Sequence, residues 1–81
     1  MAKCNRIFVN EVMFYQKMEE RRLTMTSLAR VLGISRSTLY AKVNGESYFR
    51  MDESAVLSRE FQLNEEESYR MFVRGYFQEV V

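Results

Sequence analysis

Histidine and proline are absent from this 81-residue chain, glycine occurs three times and cysteine once. The lack of histidine removes the usual general base at neutral pH and the commonest metal ligand. The lone thiol, Cys4, has no second cysteine for an internal disulfide and no imidazole to activate it as a nucleophile. No glycine-rich phosphate loop or Cys/His cluster occurs. Enzymatic activity is therefore not expected, and neither a cofactor, a metal nor a small-molecule ligand is indicated. A single cysteine also suits a reducing compartment better than a secreted one. No apolar run of spanning length and no charged-then-apolar leader is present, so the expected location is cytoplasmic, with no membrane partner.

Without proline and with little glycine, the chain favours helices joined by short turns over an all-β fold. Hydrophobic residues make up 47%, among them six Phe and five Tyr, which is enough for the one small core that a chain of this size builds. A single domain over residues 1–81 is expected. The net charge of +1 conceals an asymmetry. Residues 17–50 hold seven basic and three acidic side chains, net +4, whereas residues 51–81 hold three basic and seven acidic, net −4. A basic half set against an acidic half is what a phosphate-facing surface needs.

The basic half contains the most patterned stretch, Thr24 to Gly45. Thr24 precedes an apolar pattern as an N-cap does, and Leu28, Val31 and Leu32 fall at i, i+3 and i+4 on one helical face, with Ala29 inside. Gly33 ends this helix, Ile34 plugs the turn and Ser35 caps a second helix that Leu39 and Val43 anchor. Arg36, Ser37, Tyr40 and Lys42 are left pointing elsewhere. Two short helices around a three-residue turn form a helix-turn-helix.

Leu28-Ala29, Leu32-Gly33-Ile34-Ser35, Leu39 and the closing Asn44-Gly45 resemble the phage Cro and repressor type (XRE-like) of helix-turn-helix regulator. The likeness covers roughly residues 10–74. It is strongest to small Cro-like proteins of Gram-positive phages, on the run Gly33 to Leu39 with Lys42 and Asn44-Gly45. There are two departures. Met25 stands where the family often carries a phosphate-contacting Gln, and Lys42 stands where it often has an apolar anchor, a role that Val43 takes instead.

The resemblance implies an all-α, five-helix bundle that inserts its third helix into the major groove of double-stranded DNA and represses transcription from an operator. On that geometry Arg36 and Ser37 enter first and Tyr40 follows one turn later, with Arg36 able to bond guanine with both arms of its guanidinium. Thr26, Thr38, Lys42, Asn44 and Ser47 are the candidates for backbone contacts. The apolar tail after Gly75 either folds back on the core or meets a partner. The resemblance favours a homodimer contact through Met71, Phe72, Tyr76, Phe77 and Val80, and hence an operator that is an inverted repeat. Two other readings stay open on the same fold: an antitoxin that represses its own operon, and an antirepressor-type interaction module that no longer meets DNA.

Outside the motif, Asn10 is the expected N-cap of a first helix through about Arg22, with Phe14, Tyr15 and Met18 as its stripe. Residues Ile7–Val9 read as a short strand or as the first turn of that helix. Asp52 is the expected cap of a fourth helix to about Phe61, with Val56, Leu57 and Phe61 inward. Phe49 reads as core. Asn64 with Glu67 forms a capping box for a fifth helix that ends near Arg74. The three acids Glu65, Glu66 and Glu67 answer the dipole of that helix rather than a metal.

Overall fold

The computed structural model describes residues 7–73. Five α-helices follow one another: α1 (Glu11–Arg21), α2 (Met25–Leu32), α3 (Arg36–Val43), α4 (Met51–Glu60) and α5 (Glu65–Ser68). The fifth runs on as a π-helical turn, Tyr69–Val73. The expected all-α class holds among the described residues. The expected regular fifth helix is replaced by one α turn and one π turn.

Side chains and left-handed residues punctuate each helix. Asn10 Oδ1 accepts from the Met13 N–H at 3.1 Å to start α1. At its end, Arg22 adopts φ 56° and the Leu23 N–H reaches back to the Met18 carbonyl at 2.9 Å. Thr24 and Ser27 cap each other reciprocally at the start of α2, through bonds of 3.1 and 3.2 Å. Gly33, at φ 73°, closes it. Asn64 and Glu67 form the expected capping box of α5, at 2.8 and 3.0 Å.

The cap of α4 lies two residues before the expected Asp52. Arg50 is the N-cap, and its N–H donates to Glu53 Oε1 at 2.9 Å. Glu53 lies three residues beyond Arg50, the spacing a reciprocal cap needs, so the downstream acid sets the boundary. Asp52 falls within the first turn, where its Oδ1 accepts from the Glu53 N–H at 2.9 Å.

Phe14 of α1 is the hub of the core. Its ring meets Phe61 edge-on with centroids 5.2 Å apart and stacks on Phe49 at 6.5 Å, while Phe49 meets Phe72 edge-on at 6.2 Å. All four rings are buried. Ile7 is extended and pairs with Phe49 in an isolated antiparallel bridge (3.1 and 2.8 Å), which settles the ambiguous Ile7–Val9 stretch against a helical turn. The Asn10 N–H donates to the Met71 carbonyl at 2.7 Å and ties the start of α1 to the π turn.

Three expected core residues sit farther out. Val31 is 46% exposed, and Met25 at 6% takes its place. The buried stripe of α2 is Met25, Leu28, Ala29 and Leu32, at i, i+3, i+4 and i+7, which leaves Val31 on its edge. Val56 is half-buried, because the inner line of α4 runs through Ser54, Leu57 and Phe61. Tyr15 is 39% exposed.

Candidate nucleic-acid interface

Gly33, Ile34 and Ser35 make the turn between α2 and α3. The left-handed backbone at Gly33 lets the Ile34 N–H return to the Ala29 carbonyl at 3.0 Å, and Ile34 packs against the core. Ser35 then receives the Thr38 N–H on its Oγ at 3.1 Å and begins α3. Leu39 and Val43, one turn apart, are buried against α2 and the core. Burying two such side chains contributes on the order of 1.5–3 kcal/mol each, and it fixes the rotation of the helix.

That rotation decides what the rest of α3 can touch. At 100° per residue, Arg36 and Tyr40 lie one turn apart on one flank of the buried stripe, with Ser37 farther round, and Thr38 and Lys42 lie on the other. Arg36, Ser37 and Tyr40 are exposed, and Tyr40 is 45% accessible. They share the outward first turn and the turn above it, as expected. Arg36 Nη1 donates to Thr26 Oγ1 in the first turn of α2 at 3.4 Å, so the two helix starts open on the same side.

The expected backbone contacts divide. Thr26 and Thr38 are exposed beside the first turn of α3, and Thr38 Oγ1 accepts from Ser35 Oγ at 2.9 Å. Asn44 is exposed, with its Oδ1 accepting from the Glu46 N–H at 3.2 Å. Ser47 is half-buried and donates its N–H to the Ala41 carbonyl at 3.0 Å. Lys42 is engaged inside the protein. Its Nζ donates to the Tyr48 carbonyl at 2.8 Å and to Glu53 Oε1 at 3.2 Å, with 12% of the side chain exposed. It faces α4 because it lies on the inner flank of the helix.

Other cations of the basic half are also spent. Lys17 bridges Glu20 at 3.2 Å and Glu67 at 2.9 Å. The Glu67 carboxylate holds Lys17 above its usual range with help from Glu20, and the same bonds, Lys17 first and then the Asn64 N–H, hold Glu67 below its own. Arg21 Nε donates to the Phe61 carbonyl at 2.9 Å, which ties α1 to the end of α4. Among the described residues, Arg21, Arg22, Arg30 and Arg36 are the cations of residues 17–50 that form no ion pair, and of these Arg21 is held by the Phe61 carbonyl.

Two expectations for the dimer surface change. Met71 and Phe72 are buried, at 0% and 2%, in the chain's own core, where Phe72 packs edge-on against Phe49. The π turn rotates both inward, which withdraws them from a surface contact. Tyr76, Phe77 and Val80 lie outside the described residues.

Tyr15, expected in the inner stripe of α1, is instead among the exposed aromatics. Burial first, then Glu11 and Tyr40, push the Tyr15 phenol above its ordinary value, so its hydroxyl lies in the field of the Tyr40 hydroxyl. Tyr15, 39% exposed and edge-on to the Phe14 ring at 5.8 Å, lies at the margin of the core. Its place one residue after Phe14 turns it about 100° away from the buried ring, which the helical spacing could have shown.

Among the described residues no helix is long and apolar enough to cross a membrane. No curated protein and no solved structure matches the chain. A family model described as the Cro/C1-type HTH DNA-binding domain matches residues 15–68, more than half of the chain and the whole of α2 and α3. Within that match, α3 keeps Leu39 and Val43 buried and Arg36, Ser37 and Tyr40 exposed. This chain belongs to the Cro/C1-type helix-turn-helix DNA-binding domain family and acts as a DNA-binding regulator.

Proposed function

We propose that the protein is a Cro-like repressor of phage or prophage origin that binds an operator as a homodimer and excludes polymerase or a rival regulator. The observation that carries this reading is the exposed Arg36-Ser37-Tyr40 surface on a helix whose opposite stripe is locked into the core. Arg36 bonds a guanine edge, Ser37 adds an adaptable hydroxyl, and Tyr40 contacts a thymine methyl or a phosphate. Thr26, Thr38, Asn44 and Ser47 serve the DNA backbone, which sets register without reading sequence. Lys42 is left out, because its ammonium is already bonded to Glu53 and Tyr48.

Tyr76, Phe77 and Val80 supply the dimer contact in this reading. Their apolar character supports it, as does the burial of Met71 and Phe72, which leaves the segment after the π turn as the candidate. A two-fold dimer reads half-sites about one helical turn apart. Selection of bound sequences from a random duplex pool, paired with sedimentation of the free protein, tests this. An enriched inverted repeat and a dimer at micromolar concentration are expected. A monomer that enriches a single half-site would contradict the homodimer.

A further inference from the structure

Lys42 lies three residues after buried Leu39, on the flank of α3 that faces Glu53, and the structure shows how a cation is accommodated there. Its ammonium lies 5.8 Å from the centroid of the buried Phe49 ring. The charge meets Glu53 at 3.2 Å, with 12% and 15% of the two side chains exposed. The same Glu53 Oε1 receives the Arg50 N–H at 2.9 Å.

These bonds act together on the segment between α3 and α4. The Ser47 N–H is held by the Ala41 carbonyl, the Tyr48 carbonyl by Lys42, both backbone groups of Phe49 by Ile7, and the Arg50 N–H by Glu53. Lys42 and Glu53 provide the side-chain half of that set, and they join α3 to the first turn of α4 across the segment. Both are half-buried and engage each other, so removal of either strands a charge in a site built for a pair.

We propose that Lys42 and Glu53 are a positioning pair for DNA binding: they set the course of residues 44–50 relative to α3, and Lys42 contributes through that segment instead of through a phosphate. This rests on the reading of α3 and the following segment as the DNA-facing surface. A lysine phosphate contact and a lysine clamp differ in their salt dependence. A phosphate contact releases counterions and the clamp does not.

The test is titration of a random-sequence duplex pool with the full chain, from low to moderate salt, for the wild type, Lys42→Met, Glu53→Gln and the double variant. Thermal melts give the folded fraction to which each affinity is referred. Glu53→Gln keeps the shape of the side chain and an oxygen for the Arg50 N–H, so it isolates the ion pair. Should Lys42→Met fail to fold, it decides alone. Each single change is expected to weaken binding of the folded protein roughly two- to tenfold, with the double variant no weaker than the worse single. The salt slope stays at the wild-type value.

A slope reduced by about 0.9 in Lys42→Met means a lost phosphate contact and overturns the proposal. Tighter binding with a steeper slope in Glu53→Gln overturns it too, because Glu53 would then be restraining a DNA-seeking lysine. Unchanged affinity of the folded variants leaves a purely structural pair and rejects the positioning role. A wild type that shows no salt-dependent binding fails the reading of the DNA-facing surface itself, whereas a binding wild type with any of these variant results fails the positioning pair alone.

Discussion

The first and last turns of α3 each carry a cation, and the two have opposite fates. Arg36, in the first turn, is exposed, and among the described residues its side chain hydrogen-bonds to the Thr26 hydroxyl alone, at 3.4 Å. Lys42, in the last, is half-buried and bonded to Glu53 and the Tyr48 carbonyl. They lie six positions apart, and the net charge of the segment counts them alike. The difference comes from rotation. Leu39 and Val43 turn one flank of the helix toward α4 and leave the start of the helix projecting. A basic count therefore measures the cations present, while packing decides how many remain for phosphate.

The comparison breaks most completely if the stripe that sets the rotation is removed. Leu39→Ala, at a fully buried site, is expected to cost about 2–5 kcal/mol in chemical denaturation. Binding by the remaining folded protein should lose its sequence preference as α3 loosens. A loss below about 1 kcal/mol would mean that Leu39 does not anchor the helix.

Arg36→Ala addresses the exposed end. Stability is expected to stay within about 0.5 kcal/mol of the wild type, while discrimination at one base pair per half-site falls by about 1–3 kcal/mol. Competition binding between the cognate duplex and single-base variants measures this directly. An arginine that merely decorates the surface would leave the ranking of duplexes intact.

Gly33→Ala probes the turn that relates the two helices. No neighbour lies within 4 Å of the added Cβ, so the cost is that of the φ of 73° alone. About 1–2 kcal/mol of stability should be lost, with denaturation midpoints as the measurement. Because the strain falls on the turn, affinity for duplex should drop as well.

The smallest effect concerns another spent cation, Lys17. The folded-state pKa of Glu67 lies below its usual value. Its contribution is therefore present above the usual carboxylate range and is lost as pH falls through that range toward the lowered value. Glu67→Gln removes this contribution, so thermal melts at neutral and acid pH should show a smaller fall on acidification in the variant than in the wild type. An identical fall in both would show that the Lys17–Glu67 bridge contributes nothing.

Much of this fold was legible because local chemistry and tertiary packing agree. Asn10, Thr24, Ser35 and Asn64 cap their helices as their side chains and positions imply, and Gly33 takes the left-handed backbone that ends α2. The misread elements are those where a distant partner decides. Val31 and Met25 both satisfy an apolar spacing in a helix of eight residues, and only the docking against α3 and α4 chooses between them. Arg50 becomes a cap because Glu53 reaches back to it, whereas Asp52 carries the capping type of side chain two residues too late. The inward turn of Met71 and Phe72 depends on a π segment that no residue pattern announced. At the candidate site, Arg36, Ser37 and Tyr40 were legible from their place relative to Leu39 and Val43. The engagement of Lys42 was not, since it needs Glu53 from the next helix.

The central claim is that the exposed start of α3 reads DNA sequence. The most direct test is selection from a random duplex pool run in parallel on the wild-type chain and Arg36→Ala, both verified as folded. The account expects the wild type to enrich an inverted repeat, and the variant to lose preference at one symmetry-related base pair while keeping the rest. Enrichment of the same motif at the same strength by both proteins, or no enrichment by the wild type, would contradict it.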